Sequence, residues 1–174
     1  SYVSPTQVNA LVPSIPDRGW VPVEVRANGQ PSEAGYLWIA DRAPAFFVYA
    51  PQGGKYPAAQ HGDAKPVGPA GLLPGSRPAK ALESIAIYGT GFGATSPETD
   101  PSRFFTVARP LAQPDRVSAT VGGLNAAVEY VGLVAPGLYQ MNIKLAALPV
   151  GEHPLLVSVD GFTTQVGIVA IIGQ

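Results

Sequence analysis

The sequence contains no cysteine, which excludes disulfide bonds, a thiolate nucleophile and cysteine-ligated metal sites. Charge is also scarce: charged residues make up 13% of the chain, and 11 Lys and Arg nearly balance 12 Asp and Glu. General nucleic-acid-binding proteins carry a basic excess that neutralises phosphates, so this balance excludes that class. No apolar run approaches the roughly 18 residues of a membrane-spanning helix, so we expect no membrane insertion.

Residues that interrupt helices are abundant instead. The 174 residues include 20 Gly and 19 Pro, and both residue types destabilise helices. Yet 46% of the residues are hydrophobic, which is too many for a disordered linker and enough to build a core. The composition therefore favours a folded protein with few long helices.

Alternation of polar and apolar residues predicts β-strands. It is clearest over residues 138–148, where Tyr139, Met141 and Ile143 alternate with polar residues, and a period of two is typical of a strand. The same alternation occurs over residues 21–26, 117–121, 124–130 and 155–160. The turn residues that separate such runs are Asn28-Gly29, Gly122-Gly123 and Asp160-Gly161. We therefore predict an all-β antiparallel sandwich.

An internal repeat organises the chain. The corresponding segments are Tyr2-Val3 and Tyr130-Val131, Gln7-Val8-Asn9 and Gln140-Met141-Asn142, Trp20 to Val23 and His153 to Leu156, Asn28-Gly29 and Asp160-Gly161, and Tyr36 to Ala40 and Gly167 to Ile171. The first copy is incomplete, because nothing in it corresponds to residues 85–128.

The incomplete copy suggests a division into two parts. We expect residues 1–75 to form a partial repeat with a hairpin at 56–65 and a connector, and residues 76–174 to form the complete sandwich. Three strands alone leave apolar residues exposed. We therefore expect residues 46–73, together with the second domain, to cover the apolar face of the first copy.

Motifs in the second half resemble known immunoglobulin-like domains. Residues 85–93, IAIYGTGFG, resemble the opening strand of TIG/IPT domains, and residues 121–128 resemble their next hairpin. Residues 130–133, 136–142 and 148–151 resemble, more narrowly, a Solibacter-type uncharacterised C-terminal domain of secreted soil-bacterial proteins. The resemblance implies an Ig-like sandwich with an extracellular or cell-surface location, and it supplies no catalytic residues. Because the chain opens without an initiator Met, we expect it to be a piece of a longer protein.

The residues that usually carry catalysis do not fall into a known pattern. The glycines of residues 89–93 are followed by Ala94 to Pro97, which cannot begin the helix that a dinucleotide loop needs. The two histidines, His61 and His153, belong to no H-E-x-x-H motif, and no G-x-S-x-G presents a serine nucleophile. We therefore expect no enzyme, no cofactor and no metal. A hydrolytic enzyme that uses His61 or His153 is the second alternative.

Aromatic residues in the N-terminal third are the best candidates for ligand binding. They are Trp20, Tyr36, Trp38, Tyr49 and Tyr56. Such side chains stack on sugar rings or anchor protein interfaces, and the competing interpretation places Trp38 in the core.

The function that these features favour is a non-catalytic structural or adhesion-type module at the end of a larger secreted protein. We expect a monomer whose partners are the other domains of that protein, with a carbohydrate or a cell-surface protein as further candidates. The first alternative is a carbohydrate-binding accessory module, which clustered and exposed aromatic side chains would favour.

Overall fold

The computed structural model describes residues 2–13, 15–49, 51–100 and 103–172. About half of the described residues lie in strands or bridges and only a few per cent in helices, so the prediction of an all-β sandwich is confirmed. Twelve of the seventeen described strands have five residues or fewer.

The strands fall into three groups along the chain. The first group is β1 (Tyr2–Ser4), β2 (Gln7–Asn9), β3 (Gly19–Val23), β4 (Arg26–Ala27), β5 (Gln30–Pro31) and β6 (Gly35–Ile39). The second is β7 (Ala45–Phe46), β8 (Ala59–Gln60) and β9 (Ala79–Lys80), with a 3-10 helix at Pro51–Gly54. The third is β10 (Ser84–Thr90), β11 (Arg109–Pro110), β12 (Val117–Val121), β13 (Leu124–Ala135), β14 (Leu138–Lys144), β15 (Gly151–Val159), β16 (Phe162–Thr163) and β17 (Gly167–Ile172), with a 3-10 helix at Pro114–Arg116.

The second and third groups form one large curled sheet. Its strand order is β7-β10-β14-β13-β12-β15-β17-β9, and only the β17–β9 pair is parallel. The long strand β13 pairs with β12 at its start and with β14 from Ala127 onward, with a register shift between Val128 and Tyr130. Such a shift bends a strand, so β13 belongs to both layers of the sandwich. We call this sandwich, residues 45–49, 51–100 and 103–172, the closed copy.

The core of the closed copy follows the predicted alternation. In β14 the side chains of Tyr139, Met141 and Ile143 are buried, whereas Gln140 and Asn142 remain half-buried. The largest fully buried side chains are Phe92, Ile85, Ile87, Leu133, Met141, Ile143, Leu145, Leu155, Val121, Val131, Val157 and Val159. These residues come from both layers, so apolar burial holds the two layers together.

The segment between the copies belongs to the closed copy. Strands β7 and β8 pair with β10, and β9 pairs with β17, so strands on both sides of residue 75 share one sheet. The chain turns back at residues 61–65, where the His61 amide donates to the Lys65 carbonyl at 2.9 Å, and the pairing extends to Gln60 and Pro66, beyond the end of the hairpin expected at 56–65. A domain boundary near residue 75 stays a prediction. In the strand pairing the change falls earlier in the chain: β6, which ends at Ile39, pairs with β3, whereas β7, which begins at Ala45, pairs with β10.

The first group of strands forms separate hairpins that repeat the pairing of the closed copy. The β1–β2 pair joins Tyr2 to Asn9 and Val3 to Val8, and the β13–β14 pair joins Tyr130 to Asn142 and Val131 to Met141. In both copies the glutamine amide donates to the asparagine side chain two residues on. The Gln7–Asn9 distance is 2.6 Å and the Gln140–Asn142 distance is 2.8 Å.

The second hairpin of each copy matches at the level of single hydrogen bonds. The Val25 amide donates to the Ser32 hydroxyl at 3.1 Å and the Ser32 amide to the Val25 carbonyl at 2.8 Å. The Val157 amide likewise donates to the Thr164 hydroxyl at 3.2 Å, and the Thr164 amide to the Val157 carbonyl at 2.9 Å. The turn residues Asn28-Gly29 and Asp160-Gly161 all have positive φ. The partial repeat of the same unit is therefore present in the fold.

These contacts correct two alignments made from the sequence. Gly19 of the first copy is equivalent to Gly151 of the second, and Gly35 is equivalent to Gly167, so Trp20 corresponds to Glu152 and Tyr36 to Ile168. The alignment made from the sequence was therefore wrong by one residue at both strands, because it matched Trp20 with His153 and Tyr36 with Gly167. Gly19 and Gly151 both have positive φ, which explains why glycine occupies this position in each copy.

The first copy remains open in the structure. The expectation that residues 46–73 cover it is wrong, because Phe46, Tyr56 and Ala59 are buried in the closed copy while Val23, Val25 and Leu37 stay exposed. The strand pairs β1–β2, β3–β6 and β4–β5 form two-stranded sheets of their own. We call residues 2–13 and 15–39 the open copy.

Candidate functional site

One face of the β3–β6 hairpin carries three of the five predicted aromatic residues. Trp20 lies directly opposite Trp38, and Pro22 lies opposite Tyr36. Because side chains alternate along a strand, these four residues share one face, which we call the aromatic face. The two indoles are in edge-to-face contact, with ring centroids 5.5 Å apart and an angle of 74° between the planes.

The aromatic face is open to solvent. The exposed fractions of Trp20, Tyr36 and Trp38 lie between 60% and 68%, so the alternative that Trp38 is a core residue is wrong. Large apolar rings at this exposure are available to stack on a sugar ring or a partner side chain. The cross-strand contact between the indoles also fixes their rotamers, which lowers the entropy that binding would cost.

A groove adjoins the aromatic face at its Trp38 end. It has a volume of about 1140 Å³ and runs between the open copy and the closed copy. Its polar lining includes Arg18, Asp41 and Glu98. The Arg18 guanidinium donates to the Asp41 carboxylate at 2.7 Å, so this pair is held in place beside the exposed indole. Charged donors and acceptors next to an aromatic ring are the usual components of a polar-ligand site.

The other two aromatic candidates lie in the closed copy and not on this face. The Tyr49 hydroxyl donates to the Ala59 carbonyl at 2.7 Å, and burial raises the pKa of Tyr49. The Tyr56 side chain is buried and its hydroxyl donates to Glu152. Both hydroxyls therefore act in internal packing. Ligand binding by the five residues stays a prediction, and the structure brings together only the three on β3 and β6.

The segment that contains these tyrosines is held by contacts with distant residues of the closed copy. Gln165 accepts a hydrogen bond from the Phe46 amide at 2.9 Å and donates one to the Phe46 carbonyl at 2.8 Å. Arg42 donates to Asp160 at 2.8 Å and to Gln113 at 2.9 Å. We call residues 42–49 and 51–60 the strap. Sequence reasoning missed these contacts, because the partners are more than 70 residues apart and no local pattern links them.

The Glu152 carboxylate adds a further contact to the strap. It accepts hydrogen bonds from Lys55 and Tyr56, and these hydrogen bonds lower the pKa of Glu152. On the opposite side of β17, Gly167 lies across from the buried Leu155, and a side chain added at Gly167 would collide with Pro57. Because Glu152 corresponds to Trp20, its contacts with Lys55 and Tyr56 lie on the face that corresponds to the aromatic face of the open copy.

Both ring nitrogens of His61 contact other residues of the fold. Its side chain is buried, with Nδ1 2.7 Å from Glu83 and Nε2 3.0 Å from the Arg77 carbonyl. Partial burial raises the pKa of Glu83, but hydrogen bonds from the Lys80 amide and His61 and the charge of Arg77 outweigh it and hold that pKa below its ordinary value. Both ring nitrogens are occupied, so neither faces a nucleophile. The contact between His61 and Glu83 could not be predicted from the sequence, because the two residues are 22 positions apart and no local pattern links them.

His153 lies in a different environment from His61. Its Nε2 is 2.9 Å from the Pro149 carbonyl, on the loop that leads into β15. Within the described ranges no three His, Cys, Asp or Glu residues come together as metal ligands. No helix in those ranges is long and apolar enough to cross a membrane.

Comparison with known proteins adds no relative. The chain matches no family model, no curated protein and no solved structure. The resemblance to TIG/IPT and Solibacter-type domains therefore stays a prediction from the motifs quoted above.

Proposed function

We propose that this chain is a non-catalytic, Ig-like structural or adhesion-type module that acts outside the cell as part of a larger secreted protein. The observation that carries the proposal is the strap, which fastens the connection between two copies of one unit. A connection that merely tethered the copies would make few contacts with either of them.

The strap is held at three points. At its start, Arg42 bonds to two side chains of the closed copy. In its middle, Phe46 exchanges two hydrogen bonds with Gln165 and is itself 5% exposed. Near its end, Ala59 is paired with Ile87 of β10.

The open copy is held at the other end, because Arg18 donates to Asp41 at 2.7 Å and Leu11 packs against Gly137 of the closed copy. A connection held at both ends supports a set spacing between successive units, which is what a structural or adhesion module requires.

Spin labels test whether the spacing is fixed. The chain has no native cysteine, so Gln30→Cys in the open copy and Asp115→Cys in the closed copy introduce two unique and exposed attachment points. We expect one narrow distance distribution between the labels. Adding Arg42→Ala and Gln165→Ala should broaden it, because both substitutions release the strap. A broad distribution in the chain with an unaltered strap would contradict the proposal.

The second candidate function is carbohydrate binding, which the exposed aromatic face favours. Exposed aromatic rings beside a charged groove are suited to the apolar faces and hydroxyl groups of a sugar. A glycan array should first identify a bound glycan, and calorimetric titration should then show at least tenfold weaker binding by Trp38→Ala. Phe104→Ala is the matched control, because Phe104 is exposed but lies outside this face. Equal binding by the two variants would remove this candidate.

A further inference from the structure

We propose that the aliphatic face of the open copy is a docking surface for a β-strand segment of the kind formed by residues 84–129 in the closed copy. The aliphatic face is the side of the two hairpins opposite to their polar and aromatic side chains. It comprises Val3 and Val8 on the β1–β2 hairpin, and Val23, Val25 and Leu37 on the hairpin that contains β3 and β6.

The matched hydrogen bonds identify the buried counterpart of each of these residues. The counterparts, in the same order, are Val131, Met141, Leu155, Val157 and Val169. The five residues of the open copy are 39–74% exposed, whereas their counterparts are 0–3% exposed. The same supersecondary unit is therefore closed over its apolar face in one copy and unpartnered in the other.

The closed copy shows which strands extend the sheets that carry this face. Strand β10 pairs with β14, which corresponds to β2, and places Ile87 opposite Met141. Strand β12 pairs with β15, which corresponds to β3 and β4, and places Ala119 opposite Val157. In the open copy the matching edges of β2 and β3 have no strand partner among the described residues. The occupant is thus expected to place an Ile87-like residue opposite Val8 and an Ala119-like residue opposite Val25.

A folded second copy of this chain does not supply these strands. Its own β10 is already paired with β14 on one side and with β7 and β8 on the other, and its β12 lies between β13 and β15. The occupant must therefore be a segment that has the alternating pattern but is not already part of a sandwich. Strand addition to an exposed edge is an established mode of peptide recognition, with main-chain hydrogen bonds for affinity and alternating side chains for specificity.

A fusion protein tests the docking surface directly. In the closed copy Glu129 precedes Tyr130, which corresponds to Tyr2, so residues 76–129 are joined through their last residue to Tyr2 of the full chain. A single Val25→Cys then reports on the aliphatic face through its reaction with a thiol reagent. Tyr36→Cys reports on the opposite face, and Val157→Cys is the reference for a fully buried position.

The expected result is selective protection. Labelling of Val25→Cys should be at least tenfold slower in the fusion than in the unfused chain, and labelling of Tyr36→Cys should change less than twofold. The control fusion carries Ile87→Asp and Val121→Asp in the added segment only, and it should leave Val25→Cys as reactive as in the unfused chain. Equal protection by both fusions, or no protection by either, would overturn the proposal.

Two further outcomes are also decisive. Protection of Val25→Cys that increases with the concentration of the unfused chain would show that a second copy occupies the face, and would overturn the proposal.

A reactive Val157→Cys in the fusion would show that the fusion is misfolded. In that case tagged residues 76–129 are co-expressed with the full chain instead. Capture of the chain by that segment, but not by the segment with Ile87→Asp and Val121→Asp, would support the proposal. Equal capture by the two segments, or no capture by either, would overturn it.

Discussion

Matched truncations of Val157 and Val25 measure how differently the two copies use the same position. Both valines make the same pair of hydrogen bonds with a hydroxyl residue seven positions on. Val157 is fully buried, whereas Val25 is 45% exposed. Replacing either residue by alanine removes the same two methyl groups and leaves the backbone hydrogen bonds in place, so any difference in unfolding free energy reports on burial alone.

The magnitudes follow from that burial. Each buried methyl group contributes about 0.8 kcal/mol, so Val157→Ala loses about 1.6 kcal/mol of transfer free energy. The cavity that remains in a rigid core raises the total cost to about 2–3 kcal/mol. Val25→Ala loses roughly half of the transfer free energy and leaves no enclosed cavity, so we expect less than about 1 kcal/mol.

Urea unfolding followed by circular dichroism measures both free energies. For a chain of this length, the cost at Val157 corresponds to a fall in melting temperature of about 5–10 °C. A cost at Val25 equal to that at Val157 would refute the reasoning, because it would mean that the aliphatic face is already covered. An unchanged slope of free energy against urea would confirm that both variants unfold from the same native state.

Two other predictions concern packing and pH. Gly167→Ala should destabilise the protein by about 1–3 kcal/mol, because its new methyl group would collide with Pro57 of the strap, while Gly35→Ala at the corresponding open position should change the melting temperature little. The pKa of Glu83 is lower in the folded protein than its ordinary value of 4.5. The ionised Glu83 carboxylate therefore stabilises the fold above pH 4.5, and this stabilisation is lost as the pH falls through the pKa of Glu83 in the folded protein. Acid titration of the unfolding free energy should show this loss, and Glu83→Gln should reduce it; an identical acid profile for the variant would contradict the assignment.

Much of the fold could be predicted because its signals are local. The alternation around Met141 is a two-residue pattern that the sheet preserves, and the turn at Asn28-Gly29 needs positive φ, which these residues tolerate. The repeat could also be predicted, because hairpin register depends on turn position and spacing. The alignment near Trp20 was wrong by one residue, since the sequence offered no marker of register there except Gly19.

The remaining features depend on contacts between distant parts of the chain. Nothing local distinguishes Val25 from Val157, and only the presence of β12 beside one of them decides which is buried. The same holds for the aromatic candidates. Tyr56 is buried because Glu152 and the strap surround it, whereas Trp38 is exposed because its strand has a partner on one side alone. The sequence therefore predicted which aromatic residues were candidates but could not show which of them are exposed and which are buried.

Amide hydrogen exchange at Val25 and Val157 tests the central claim, which is that one unit occurs twice, once closed and once open. Both amides donate to a hydroxyl at nearly the same distance, 3.1 Å and 3.2 Å, so their local hydrogen bonding is matched. We expect the Val157 amide to exchange only through global unfolding and the Val25 amide to exchange through local opening, at least a hundredfold faster. Equal protection of the two amides would contradict the account, because the open copy would then be as firmly closed as its counterpart.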